Sequence, residues 1–119
     1  MSKKAVTISM RSVAETTVVD LQGDIDVNTS NILRSHLLET LQQASRVALN
    51  MGGIRYIDSA GIATLVEAQM TANKLKKDLV LFALGTRAHD VMKLTRLLGF
   101  FRIVESEEQA LTGGPTSNG

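Results

Sequence analysis

Residues 47–62 read Val47-Ala48-Leu49-Asn50-Met51-Gly52-Gly53-Ile54-Arg55-Tyr56-Ile57-Asp58-Ser59-Ala60-Gly61-Ile62, and a change of period inside them decides the fold class. Residues 47–51 form a short, mostly apolar run that reads as a strand, which Gly52-Gly53 is expected to end. After residues 54–57 the pattern turns helical at Asp58-Ser59-Ala60-Gly61. Ile62, Leu65, Val66 and Leu75 then recur on one face, with Met70 and Ala72 beside them, to about residue 77. Residues 79–84 are apolar throughout, which suits a strand covered on both faces. A strand, a helix and a second strand in succession imply a crossover between parallel strands.

The segments on either side extend this pattern. In residues 5–11, Val6, Ile8 and Met10 alternate with Thr7, Ser9 and Arg11. Residues 15–22 repeat the alternation after a short connection, which predicts an antiparallel hairpin. Gly23-Asp24-Ile25-Asp26 is expected to break the second strand. A helix follows over residues 29–44, with Thr29 or Asn28 as its cap and Leu33, Leu37, Leu41 and Ala44 on one face. Beyond residue 85 a third helix carries Val91, Leu94, Leu97 and Leu98, with Gly99 placed to end it. Residues 102–104 read as a last strand, and Ser106 with Gln109 has the spacing of a capping box for a short final helix. The expected fold is α/β: a mixed β-sheet of an N-terminal antiparallel hairpin followed by parallel strands, with about four helices. Residues 1–112 form one domain. The Gly-Gly-Pro-Thr-Ser-Asn-Gly tail at 113–119 has nothing to bury and is expected to be disordered.

Composition removes several classes of function. The chain has 119 residues and no cysteine, which excludes disulfide scaffolds and thiol chemistry. His36 and His89 are its two histidines, so a histidine-rich metal site is not expected. Thirteen basic against twelve acidic residues give a net charge of +1, with no broad field for nucleic acid or anionic lipid. Tyr56, Phe82, Phe100 and Phe101 are too few for a base-stacking platform. Residues 79–84 fall far short of the ~20 apolar residues of a membrane span, and no signal peptide is visible. A soluble cytoplasmic protein without membrane insertion is expected.

The Asp58-Ser59-Ala60-Gly61 turn is the strongest candidate for chemistry. On the plain reading, Asp and Ser are simply favourable residues at a helix start. Two details point further. Gly61 lies in the first helical turn, where glycine costs about 1 kcal/mol relative to alanine, which suggests close approach by another backbone or a partner. Ala60 and Gly61 also leave the Ser59 hydroxyl unshielded at a helix N-terminus, a setting that favours a phosphate. Hydrolase chemistry fits badly, since a nucleophile elbow needs glycine where Ile57 stands. Asp20, Asp24, Asp26 and Asp58 are carboxylates without demonstrated convergence, and Asp24 and Asp26 read as solvated turn acids. Gly52-Gly53 lacks the Gly-Lys-Ser/Thr of a phosphate loop.

Taken in order, Gly23-Asp24-Ile25-Asp26, Val47-Ala48-Leu49-Asn50, Ile57-Asp58-Ser59-Ala60-Gly61-Ile62 and Leu97-Leu98-Gly99-Phe100 resemble the STAS-domain anti-sigma factor antagonists of bacteria, over residues 5–112. The resemblance implies a phosphorylation-switched binding regulator and not an enzyme, with no catalytic residue, cofactor or metal. Ser59 matches the serine that an anti-sigma factor of the GHKL serine-kinase type phosphorylates. The unphosphorylated form would bind that kinase and release the sigma factor, and a PP2C-type phosphatase would restore the serine. Asp24, Asp26, Thr29, Asp58, Ala60 and Gly61 are the implied partner-binding residues, with Asp24 standing where the family usually has Glu. The family's acidic residue after the third strand is replaced by Gly52-Gly53, and its glycine before the fourth strand by Asp78. The alternative is a STAS subunit that is never phosphorylated, part of a transporter or signalling complex.

Overall fold

The computed structural model describes residues 5–112; the expected tail at 113–119 lies outside them. Ten elements follow one another: β1 (Val6–Val13), β2 (Thr16–Ile25), α1 (Ser30–Gln43), β3 (Arg46–Ile57), α2 (Ser59–Leu75), β4 (Asp78–Phe82), α3 (Thr86–Leu94), a 3₁₀ turn (Leu98–Phe100), β5 (Arg102–Val104) and α4 (Glu107–Thr112). The sheet order is β1-β2-β3-β4-β5, so every ladder joins strands adjacent in sequence. β1 and β2 are antiparallel and the other three ladders are parallel. This is the mixed sheet with four helices that the alternation of periods predicts.

The two faces of the sheet are covered unequally. On one, Leu33, Leu37 and Leu41 of α1, Leu65, Ala68 and Ala72 of α2 and Met92 of α3 pack on Val19, Leu21, Val47, Leu49, Leu79 and Leu81. Each large side chain buried there stabilises by roughly 1.5–3 kcal/mol. On the other, a smaller cluster of Val18, Ala48, Val80, Phe82 and Val104 is covered by Ala110 and Leu111 of α4. β4 is therefore buried on both sides, as its unbroken apolar run requires. The capping box forms, with Gln109 N–H donating to Ser106 Oγ and Ser106 N–H to Gln109 Oε1. Arg11 on β1 ties α4 down, donating to Asp20 (Oδ2 at 2.7 Å) and to Glu107 (Oε2 at 3.0 Å). Hydrogen bonds from its guanidinium hold both carboxyls below their ordinary values. Their contribution is complete above the ordinary carboxylate range and is lost as pH falls through the lowered values.

Four expectations are corrected. β2 does not break at Gly23; it runs to Ile25 through a register shift at Gly23/Asp24. Gly23 takes φ +107°, and any Cβ there would collide with the Ala5 carbonyl. β3 does not end at Gly52-Gly53, because pairing with Gln22 and Gly23 on β2 carries it on to Ile57. Tertiary pairing here overrides a weak strand propensity. α3 stops at Leu94, so Leu97 and Leu98 lie beyond it and Gly99 falls in the 3₁₀ turn. Thr95 Oγ1 donates to the Val91 carbonyl and Arg96 adopts a left-handed φ of 62°, which closes the helix early. Leu94 is 84% exposed, and Ala88 and Met92 take the core positions instead. Met70, expected beside the α2 stripe, is likewise exposed. No helix among the described residues is long and apolar enough to cross a membrane.

Candidate functional site

The site lies where β2 and β3 end and α1 and α2 begin. β2 leaves the sheet at Ile25, and the chain turns through residues 26–29 into α1. Neither Thr29 nor Asn28 caps α1 with its side chain. Thr29 Oγ1 instead accepts the Asp26 N–H at 2.9 Å and donates to the Asp24 carbonyl at 2.8 Å. Asp26 Oδ1 accepts the N–H groups of Asn28 (2.9 Å) and Thr29 (3.1 Å), forming an Asx turn. Its carbonyl accepts the Ser30 N–H at 2.8 Å. Asp24, Asp26 and Thr29 are all at most 5% exposed. Asp24 and Asp26 are therefore not solvated turn acids. They are buried, and Asp26 is consumed by its own turn. Arg55 Nε lies 3.7 Å from Asp24 Oδ1 at the mouth of this turn.

The second turn is seated on the first. Asp58 N–H donates to the Ile25 carbonyl at 3.2 Å. Asp58 Oδ1 accepts from the N–H groups of Ala60 (2.9 Å) and Gly61 (3.1 Å), capping α2 as Asp does at helix starts. A Cβ on Gly61 would sit 2.7 Å from the Ile25 carbonyl oxygen and 2.7 Å from Ile57 Cγ1. Of the two explanations open for that glycine, close backbone approach is the one present. One oxygen, Ile25 O, thus holds the Asp58 amide and lies against the α-carbon of Gly61.

Ser59 is the first residue of the 17-residue α2, and it is exposed. Its hydroxyl makes no hydrogen bond among the described residues, and its neighbours Asp58 and Ala60 are half-buried. The unpaired N–H groups and dipole of the helix start favour a negative charge there. Neither turn contains Lys or Arg. Ser59, Asp58 and Ala60 are accessible, whereas Asp24, Asp26, Thr29 and Gly61 support them from below. The sequence reading passed over Val27, 69% exposed, and gave Asn28, also exposed, only as a possible cap. An apolar residue between Asp26 and Asn28, in a turn with no core to reach, was the available signal.

His36 and His89 stand on α1 and α3, outside both turns. Among the described residues no group of three His, Asp or Glu side chains comes together as a metal site would require. A polar hollow of about 510 Å³ lies at the opposite end of the sheet, between the β1–β2 hairpin and α1, away from Ser59.

The family model described as "Mlab, STAS domain" matches residues 8–105. The chain is 23% identical over 97 residues to the anti-sigma F factor antagonist of Paenibacillus polymyxa, covering 80% of this chain and 83% of that one. It is 26% identical over 98 residues to the putative anti-sigma factor antagonist BtrV of Bordetella bronchiseptica, covering 82% and 84%. Its fold is similar to the crystal structure of an anti-sigma factor antagonist from Mycobacterium paratuberculosis, with a TM-score of 0.80, 20% identity and 91% and 92% of the two chains covered.

Proposed function

The chain belongs to the STAS-domain family, and from that premise we propose that it is an anti-sigma factor antagonist whose binding is switched by phosphorylation of Ser59. The unphosphorylated protein binds an anti-sigma factor that is also a GHKL-type serine kinase and so releases the sigma factor. The kinase moves the γ-phosphoryl group of ATP to Ser59 Oγ: the bond to ADP breaks and the hydroxyl proton passes to a base on the kinase. A PP2C-type phosphatase hydrolyses the ester and resets the switch. The observation that carries this reading is the exposed Ser59 hydroxyl, free of hydrogen bonds on the first residue of a long helix.

The surroundings of Ser59 support a switch that acts at the interface. Phosphate adds a charge of about −1.5 to −2. The helix start tolerates that charge in water, but neither turn supplies a cation to neutralise it against a partner. A hundredfold loss of affinity needs only ~2.7 kcal/mol, a penalty within reach of one desolvated, unpaired dianion. No refolding is needed.

Incubation with the cognate kinase and ATP is expected to add one phosphate, located at Ser59 by mass spectrometry. Ser59→Ala abolishes the modification and keeps kinase binding. Phosphate found on Ser12, Thr29 or Ser106 instead overturns the assignment.

A further inference from the structure

β1 and β5 are the two outer strands of the sheet. β5 has three residues, with Ile103 and Val104 buried, and a short outer strand is one way to close an edge. β1 has eight, and Ser9, Met10, Arg11 and Ser12 are all exposed. Its ladder with β2 runs from Val6↔Gly23 to Val13↔Thr16 without a register shift, so the alternation of an antiparallel strand holds throughout. The Ala5 carbonyl accepts the Asp24 N–H at 3.1 Å, which fixes the phase. The main-chain groups of Thr7, Ser9, Arg11 and Val13 therefore face β2, and those of Val6, Ile8, Met10 and Ser12 face outward. No other strand or loop among the described residues bonds them there. The edge also lacks the usual protection. β1 contains no proline and no bulge, and its one charged residue, Arg11, is paired with Asp20 and Glu107.

We propose that this edge pairs with the same edge of a second copy of the chain, joining two five-stranded sheets across a two-fold axis at Ser9. Three features select that occupant. With Ser9 opposite its own copy, the outward groups of Ile8 meet those of Met10, and each such pair exchanges both N–H···O bonds. The same register sets the Ile8 and Met10 side chains side by side on the α1 face of the sheet. Ile8 there packs against the larger core, and Met10, 47% exposed, has Thr40 Oγ1 3.5 Å from its sulfur. Cross-strand apolar pairs of this kind stabilise a sheet. Finally, no like charges oppose one another, because Arg11 falls opposite Thr7 and is already neutralised. A charged partner segment would find no free counter-charge on β1. Strands of the two copies run in opposite directions, so the two Ser59 turns stand at opposite ends of the joined sheet and both stay accessible. The inference does not depend on whether Ser59 is modified.

The test is sedimentation equilibrium on the full chain. A single strand pairing is a small interface, so the mass is expected to rise from one copy towards two between about 10 µM and about 1 mM. Ser9 forms a non-hydrogen-bonded pair on the axis, where facing side chains are closest. Ser9→Glu and Ser9→Lys should each weaken association at least tenfold, with a dispersed NMR spectrum reporting an intact fold. An equimolar mixture of the two should restore it. Met10→Pro removes an outward amide and no β1–β2 bond, and should abolish association. A mass of one copy at every concentration overturns the proposal. Ile8 and Met10 amides protected from exchange at that mass would show that a segment of the same chain lies on the edge. Association that S9E and S9K leave unchanged places the interface elsewhere and overturns the proposal as well.

Discussion

The two turns at the candidate site have similar composition and opposite construction. The turn after β2 spends its polar side chains on itself: Asp26 and Thr29 satisfy backbone amides and a carbonyl, and both are buried. The turn after β3 spends only Asp58 in this way and leaves Ser59 outside. The first turn is a support and the second a display, joined at the Ile25 carbonyl. A modifiable hydroxyl must be accessible yet held in place, and neither turn alone achieves both.

Breaking the joint should have the largest effect. Gly61→Val drives a branched side chain into Ile25 O and Ile57, and is expected to lose about 3 kcal/mol. Urea unfolding checks this at an unchanged m-value, and a loss under about 1 kcal/mol would mean that the turns are not rigidly joined. Next comes the support. Thr29→Val keeps the shape but leaves the Asp26 N–H unpaired in a buried site, an expected loss of about 2 kcal/mol. Thr29→Ser should restore most of it by the same measurement. Smallest is the display itself. Ser59→Ala removes a hydroxyl that bonds nothing, so its stability should stay within about 0.5 kcal/mol of the parent. A larger change would show that Ser59 also serves the fold.

The sequence makes the sheet and its helices readable wherever one period holds for a whole element. The alternation at residues 6–10 maps to a strand, and so does the apolar run at 79–84 except at its end, where β4 stops at Phe82 and Ala83 takes a left-handed φ of 59°. Ser59 was legible too, because a helix start is a local feature. Elements that depend on a neighbour were not readable. Gly52-Gly53 looks like a stop until β2 lies alongside it, and Leu94 looks like core until Thr95 and Arg96 turn the chain. Asp26 follows the same rule. An aspartate after a strand is usually solvated, and only the return of Thr29 over it shows that it is buried.

The sequential strand order also bears on how the chain reaches this structure. Each strand pairs with the one made just before it, so no ladder waits for a distant segment. Loop-closure cost grows with the separation of the segments being joined, and low contact order goes with fast folding. During synthesis the β1–β2 hairpin can form first, and each later helix–strand unit can add to the growing edge. The contacts of α4 are of another kind: Arg11 donates to Glu107 across 96 residues and Arg46 to the Ala110 carbonyl across 64. They can close only when α4 has been made, so the attachment of the last helix to the first strand should be a late step in folding.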